Sequence, residues 1–200
     1  MCSNSEIRRM AREQLQGHIF SGNWLTMLAV CFVVSAALGV ASSIIPFASL
    51  FLTGAALIGL AAVTLTLVRN PFMKIQWKNL LYGFETDHFL KSFVLYLLQG
   101  LLIFLWSLLF IIPGYVKAYA YSMAYYISLD RPELSAQECL EESERLMDGH
   151  KWDLFLLDLS FIGWHLLCLF TFGIGYLFLQ PYVEMAKANF YDQLVQTSAE

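Results

Sequence analysis

Four stretches of this chain are apolar over the length of a membrane-crossing helix: residues 25–45, 50–68, 93–112 and 154–172. A helix rises about 1.5 Å per residue, so about twenty residues cover the roughly 30 Å hydrocarbon core of a bilayer. Two shorter, tyrosine-rich stretches follow the later spans. "YVKAYAYSMAYYISLD" comes after the break "IPG", and "YLFLQPYVEMAKANFYDQL" comes after the glycine turn "GIG". The first of them, residues 115–129, extends only about 22 Å as a helix. Trp106 and Trp164 each precede a run of leucine and phenylalanine, a glycine turn and a tyrosine-bearing helix, so the hairpin plan repeats.

The pattern predicts an all-α fold: a polytopic membrane helical bundle of about six transmembrane helices in three hairpins, plus amphipathic surface helices, as one integral membrane domain over residues 1–200. The hairpins are 25–68, 93–129 and 154–191. An amphipathic N-terminal segment covers 1–23, an interfacial elbow 69–92 and a cytoplasmic amphipathic helix 130–151. The alternative keeps four full crossings and makes the two short tyrosine-rich segments re-entrant or surface helices. Gly54, Ala55, Ala56, Gly59, Ala61 and Ala62 make the second span suited to close helix contact.

Two segments have the 3.6-residue rhythm of amphipathic helices. In "SEIRRMAREQL", Ile7, Met10, Ala11 and Leu15 share one side, and Arg8, Arg9 and Arg12 lie elsewhere. Such a helix is expected to lie on the membrane surface, apolar face down and arginines among anionic headgroups. In "RPELSAQECLEESERLMDGHK", Ser135 and Glu138 have capping-box spacing. Cys139, Leu140, Ser143, Leu146 and Met147 fall on one face, the glutamates lie opposite, and Gly149 sits where a C-terminal cap belongs.

Composition agrees with a lipid solvent. Hydrophobic residues make up 58% of the chain and charged residues 14%, against about 25% charged in soluble proteins. The mean hydropathy is +0.58. The first 23 residues lack the basic start and continuous apolar core of a cleavable signal peptide. With the N-terminus placed in the cytoplasm, Arg8, Arg9, Arg12, Arg69, Lys74, Lys78, Lys91, Arg131, Arg145, Lys151 and Lys187 lie on or toward the cytoplasmic side. Lys117 alone lies toward the outside. This positive-inside bias predicts cytoplasmic N- and C-termini and a cytoplasmic acidic helix.

The candidate chemistry is sparse. No nucleophile elbow, zinc helix, phosphate loop or dinucleotide fingerprint is present, so no enzyme is expected. Cys2, Cys31, Cys139 and Cys168 are widely separated and His18, His88, His150 and His165 are scattered, so neither a metal nor a cofactor is expected. Three groups of polar residues remain. Tyr115, Tyr119, Ser122 and Tyr126 recur at spacings of four, three and four, which lines one helix face with hydroxyls: either a polar groove or bonds to neighbouring helices and interfacial water. His150, Lys151 and Trp152 read as an interfacial anchor. Within the last hairpin, an antiparallel fold about Gly173 and Gly175 brings Asp158 to the depth of Lys187 and His165 to that of Glu184. Lone charges in a bilayer are costly, so these pairs are expected to form a structural clasp, with a proton or ion relay as the alternative.

The combination "YSM..YI..D.P", "S..LMDGHKW" and "LSFIGW", within residues 112–167, and the later "GIGYLFLQPYVEMAKANFYDQL" resemble an uncharacterised bacterial integral-membrane family, the domain of unknown function 975. The resemblance is close over the C-terminal half and holds in outline over the first. It implies a multi-pass protein of the bacterial cytoplasmic membrane and brings no activity with it. The expected function is a non-enzymatic plasma-membrane protein that binds a lipid, peptide or protein partner. A small transporter or channel subunit is the alternative. Membrane lipids and a protein or peptide are the expected partners, and nucleic acid is not.

Overall fold

The computed structural model describes residues 4–15, 22–44, 48–70, 81–84, 86–109, 111–170 and 174–198. Among them the structure is all-α. The helices are α1 (Asn4–Gln14), α2 (Gly22–Ile44), α3 (Ala48–Arg69), α4 (Thr86–Leu109), α5 (Ile111–Ala120), α6 (Ala124–Asp130), α7 (Ala136–Leu146), α8 (Lys151–Ser160), α9 (Ile162–Phe170) and α10 (Ile174–Ser198), with a short 3₁₀ turn at Leu81–Phe84 before α4. His18, residues 71–80 of the elbow, the turn at 45–47 and Gly173 lie outside the described residues.

Two segments are long and apolar enough to cross a membrane by length and composition, Leu52–Arg69 of α3 and Phe89–Leu108 of α4. They differ in surroundings: 67% of the first is buried in the molecule and only 11% of the second. The buried helix is the small-residue one. Ala55, Ala56 and Ala61 are buried, and α4 crosses α3 so closely at Gly54 that a methyl group there would lie 2.5 Å from the carbonyl oxygen of Ser92. The absent side chain sets the helix spacing.

Several sequence expectations are corrected. "IPG" does not end a helix: Pro113 and Gly114 sit in the first turn of α5, where proline sacrifices no intrahelical bond. Gly114 lets α5 pass against Ser107 of α4. The tyrosine-rich helix is not continuous but turns at Tyr121–Met123 between α5 and α6, and the fifth span turns at Phe161 between α8 and α9. The elbow does not stay at the end of α3. Gly83 packs on Ala55, fourteen residues or about 21 Å of helix back from Arg69.

α1 is not laid on lipid. Ile7, Ala11 and Leu15 are fully buried against the bundle. The Gln14 and Asn189 amides exchange hydrogen bonds of 2.9 and 2.6 Å, and Tyr182 donates to the Arg8 carbonyl at 3.1 Å. The periodicity identified the right face, but the cover is α10. The acidic helix forms as its sequence predicts. Ser135 caps α7 in a complete capping box, Cys139, Leu140, Ser143 and Met147 are buried, and Gly149 takes the left-handed φ of 79° that follows the helix. However, its Glu144 pairs with Lys117 of α5. The charge count put these two residues on opposite sides of the membrane; the ion pair puts them on the same side.

Large apolar side chains are exposed along α4 (Leu97, Leu101, Phe104, Leu108), at the start of α5 (Ile112, Val116) and on α9 (Ile162, Leu166, Leu167, Phe170). The charged network lies elsewhere. Arg69 makes a two-pronged bond to Asp130 at 2.8 and 2.7 Å and reaches Asp192 at 3.3 Å, which ties the end of α3 to α6 and α10. Tyr191 donates to the same Asp130.

Candidate functional site

Two of the sequence-derived groups converge on one cavity. A pocket of about 370 Å³ opens between α3, α5, α6, α8 and α10, and its walls include Tyr115, Tyr119, Ser122 and Tyr126 together with Asp158, Glu184 and Lys187. The helical spacing predicts a common face for the four hydroxyl residues, and they share it even though the chain turns between Tyr119 and Tyr126. The turn is held by groups far away in sequence. Gln99 of α4 donates to the Tyr121 carbonyl at 3.3 Å. The Ser143 hydroxyl of α7 donates to the Ala120 carbonyl at 2.7 Å and accepts from the Met123 amide at 3.2 Å. Backbone groups released by the break are thus satisfied inside the protein.

On the opposite wall, Asp158 sits two residues before Ser160, the last residue of α8. It accepts a hydrogen bond from Tyr119 at 3.2 Å. Tyr119 also sets its ring edge-on to Phe155, with centroids 6.1 Å apart. Glu184 and Lys187 come from α10, three and six residues beyond Pro181. No ion pair among the described residues involves Asp158, Glu184 or Lys187. Asp158 and Lys187 therefore share a cavity without being clasped to each other. Leu57, Leu60 and Ala61 of α3, with Met123 and Leu154, supply an apolar wall.

His165 stands apart from Glu184. Its Nδ1 lies 2.8 Å from the carbonyl of Phe161, the turn residue just before its helix, and its ring meets Tyr176 edge-on with centroids 5.3 Å apart. Phe161 meets Tyr182 in the same manner at 5.2 Å. With His165 at the level of Tyr176, Glu184 lies eight residues, about 12 Å, along α10. The depth matching assumed one straight helix and one turn position, and the break at Phe161 removes that premise. His150, Lys151 and Trp152 form a separate cluster at the start of α8. His150 faces Asp153 at 3.1 Å, Lys151 faces Asp148 at 3.7 Å, and the exposed Trp152 ring lies on Phe155 with centroids 4.9 Å apart.

Sequence reasoning missed Tyr125 and the α3 wall of the pocket, because nothing local marks which face of an all-apolar helix meets a cavity. It also missed the Arg69 network. Arg69 entered only as one charge in a topology count, although an arginine closing an apolar helix is a signal for carboxylate partners. Among the described residues no three His, Cys, Asp or Glu side chains converge as a metal site. The acidic helix carries its own electrostatics. Glu138 is held below the ordinary carboxylate range by the Ser135 backbone amide and hydroxyl. Glu142 is lowered by its hydrogen bond to Arg145, against partial burial and with help from Arg131.

The model of the family described as "Protein of unknown function (DUF975)" matches residues 1–119 and 112–198. The match thus extends through the first half of the chain, where the resemblance is only in outline. No curated protein and no solved structure matches the chain.

Proposed function

Because the chain belongs to the DUF975 family of unknown function, no activity comes to it by descent, and we propose from the site itself that it is a non-enzymatic, multi-pass membrane protein that holds an amphiphilic ligand. The observation that carries this reading is the two-sided pocket. Hydroxyls, two carboxylates and an ammonium reach it from α5, α6, α8 and α10 and the turn between α5 and α6, and α3 contributes only leucine and alanine. A cavity of this size lies in the usual range for small-molecule sites. Its chemistry suits a ligand with a polar head and an apolar tail.

Membrane embedding is supported by the exposed apolar flanks of α4 and α9, which water would penalise at about 25 cal/mol for each Å². It is also supported by the spans in α3 and α4. In this arrangement α5 and α9, with 10 and 9 residues, are half-membrane helices of about 15 Å or less. The break at Tyr121–Met123 contributes Ser122 and Met123 to the pocket wall, and the break at Phe161 follows Asp158 by three residues. The bundle then has up to six legs, two of them interrupted. Both termini and α7 lie on the side rich in arginine and lysine, the cytoplasmic side of a bacterial plasma membrane.

A photoactivatable alkyl probe tests the pocket. It should label the peptides around Tyr119 and Asp158 in the purified protein, and Ala118→Trp, which fills the space, should abolish that labelling without lowering the melting temperature. Unchanged labelling in Ala118→Trp would sink the proposal.

A second reading, a small transporter, is favoured by the interrupted helices next to ionisable groups, an arrangement that transporters use to bind substrate. Movement of a specific solute into liposomes containing the purified protein would establish it. A protein that binds but moves nothing would be a receptor or scaffold.

A further inference from the structure

The pocket's charge and aromatic lining specify a head group. We infer that it takes the ammonium of a singly charged cationic amphiphile, an inference that rests on the reading of this cavity as an amphiphile site. Asp158 and Glu184 face the same space as Lys187, so carboxyl groups outnumber ammonium groups two to one on its walls. None of the three is consumed by an ion pair among the described residues. Asp158 receives one hydrogen bond, from Tyr119, which leaves acceptor capacity on both of its oxygens.

The walls around these carboxylates are four tyrosines, Tyr115, Tyr119, Tyr125 and Tyr126. Ring faces attract ammonium groups through their quadrupole, and the attraction grows where water is excluded. Carboxylates supply the remaining charge. An anionic head would meet the Asp158 carboxylate here, and a neutral head would leave that carboxylate only Lys187 as a counter-charge in the shared space. Lys187 limits the site to one positive charge, since a dication would bring an unneutralised excess. The apolar wall of Leu57, Leu60, Ala61 and Leu154 receives the first methylenes of the tail.

The test uses the full chain in nanodiscs of neutral lipid and three probes with the same tail: hexyltrimethylammonium, hexanol and hexanoate. Calorimetric titration should show the ammonium probe binding about tenfold or more tighter than hexanol, with hexanoate weakest. Glu184→Gln and Asp158→Asn should each weaken the cation by about tenfold, whereas Lys187→Gln should tighten it. Tyr119→Phe, which keeps the ring, should retain most of the binding. The opposite responses to removing negative and positive charge distinguish a cation site from general damage to the fold. Hexanoate binding best, or Lys187→Gln weakening the cation in parallel with the carboxylate variants, overturns the inference. Equal binding of hexanol and hexyltrimethylammonium overturns it too, yet leaves the amphiphile pocket standing. Failure of all three probes to bind overturns both.

Discussion

Gly54 and Gly100 are both interior helical glycines in apolar helices, and their surroundings give them opposite roles. A methyl group at Gly54 would lie 2.5 Å from the Ser92 carbonyl oxygen and 3.1 Å from the Tyr96 Cβ, whereas one at Gly100 would meet nothing within 4 Å. Backbone atoms cannot move aside as a flexible side-chain end can, so Gly54→Ala must push α3 and α4 apart. The expected loss is about 1–3 kcal/mol, the usual range for an overpacked contact. Gly100→Ala adds only helix propensity, a gain of up to about 1 kcal/mol. Thermal melting of the two variants should therefore shift in opposite directions, and a shared direction would refute the close crossing. Small residues in 50–68 marked α3 as a packing helix from sequence alone. The residue it packs on was not legible, since Ser92 carries no signal of its own.

At the scale of elements, α7 shows what a sequence can specify. Its cap, its buried stripe and the glycine after its end are all local, and all are present. Leu140 is buried and Glu141 exposed. Leu140→Glu should therefore lower the melting temperature far more than Glu141→Ala, and equal shifts would mean that α7 does not dock. The pH response follows from Glu142, whose pKa is lowered in the fold by Arg145. A lowered carboxylate stabilises the fold above the ordinary value of 4.5, and that contribution fades as pH falls toward the lowered pKa. Wild type should thus melt higher than Glu142→Gln near neutrality, and the gap should close below pH 4.5; a constant gap would exclude the charge interaction. The breaks at Tyr121–Met123 and Phe161 show the limit of this legibility. Neither contains glycine or proline, and the first depends on Gln99 and Ser143, partners that no local pattern can supply. α1 is intermediate: its rhythm fixes which face is covered, while Gln14 and Asn189 decide what covers it.

At the scale of the molecule, charge placement was the main guide to orientation, and the structure changes how it is to be tested. The pairing of Lys117 with Glu144 removes the one lysine that had stood apart on the outer side, so the basic residues no longer argue against one another. The helix that settles the matter is α7, because it has a water-facing side. Cys139 is unsuited as its reporter: its side chain is fully buried, so it would stay unmodified on either side of the membrane. Glu141 is exposed on the same helix, two residues along, and its neighbour Gln137 already donates to it only at the surface. Glu141→Cys thus samples the solvent without disturbing the docked stripe. If the arginine-rich side faces the cytoplasm, a membrane-impermeant maleimide should modify this cysteine in inside-out vesicles and leave it untouched in intact cells. Modification in intact cells would reverse the orientation of the whole bundle.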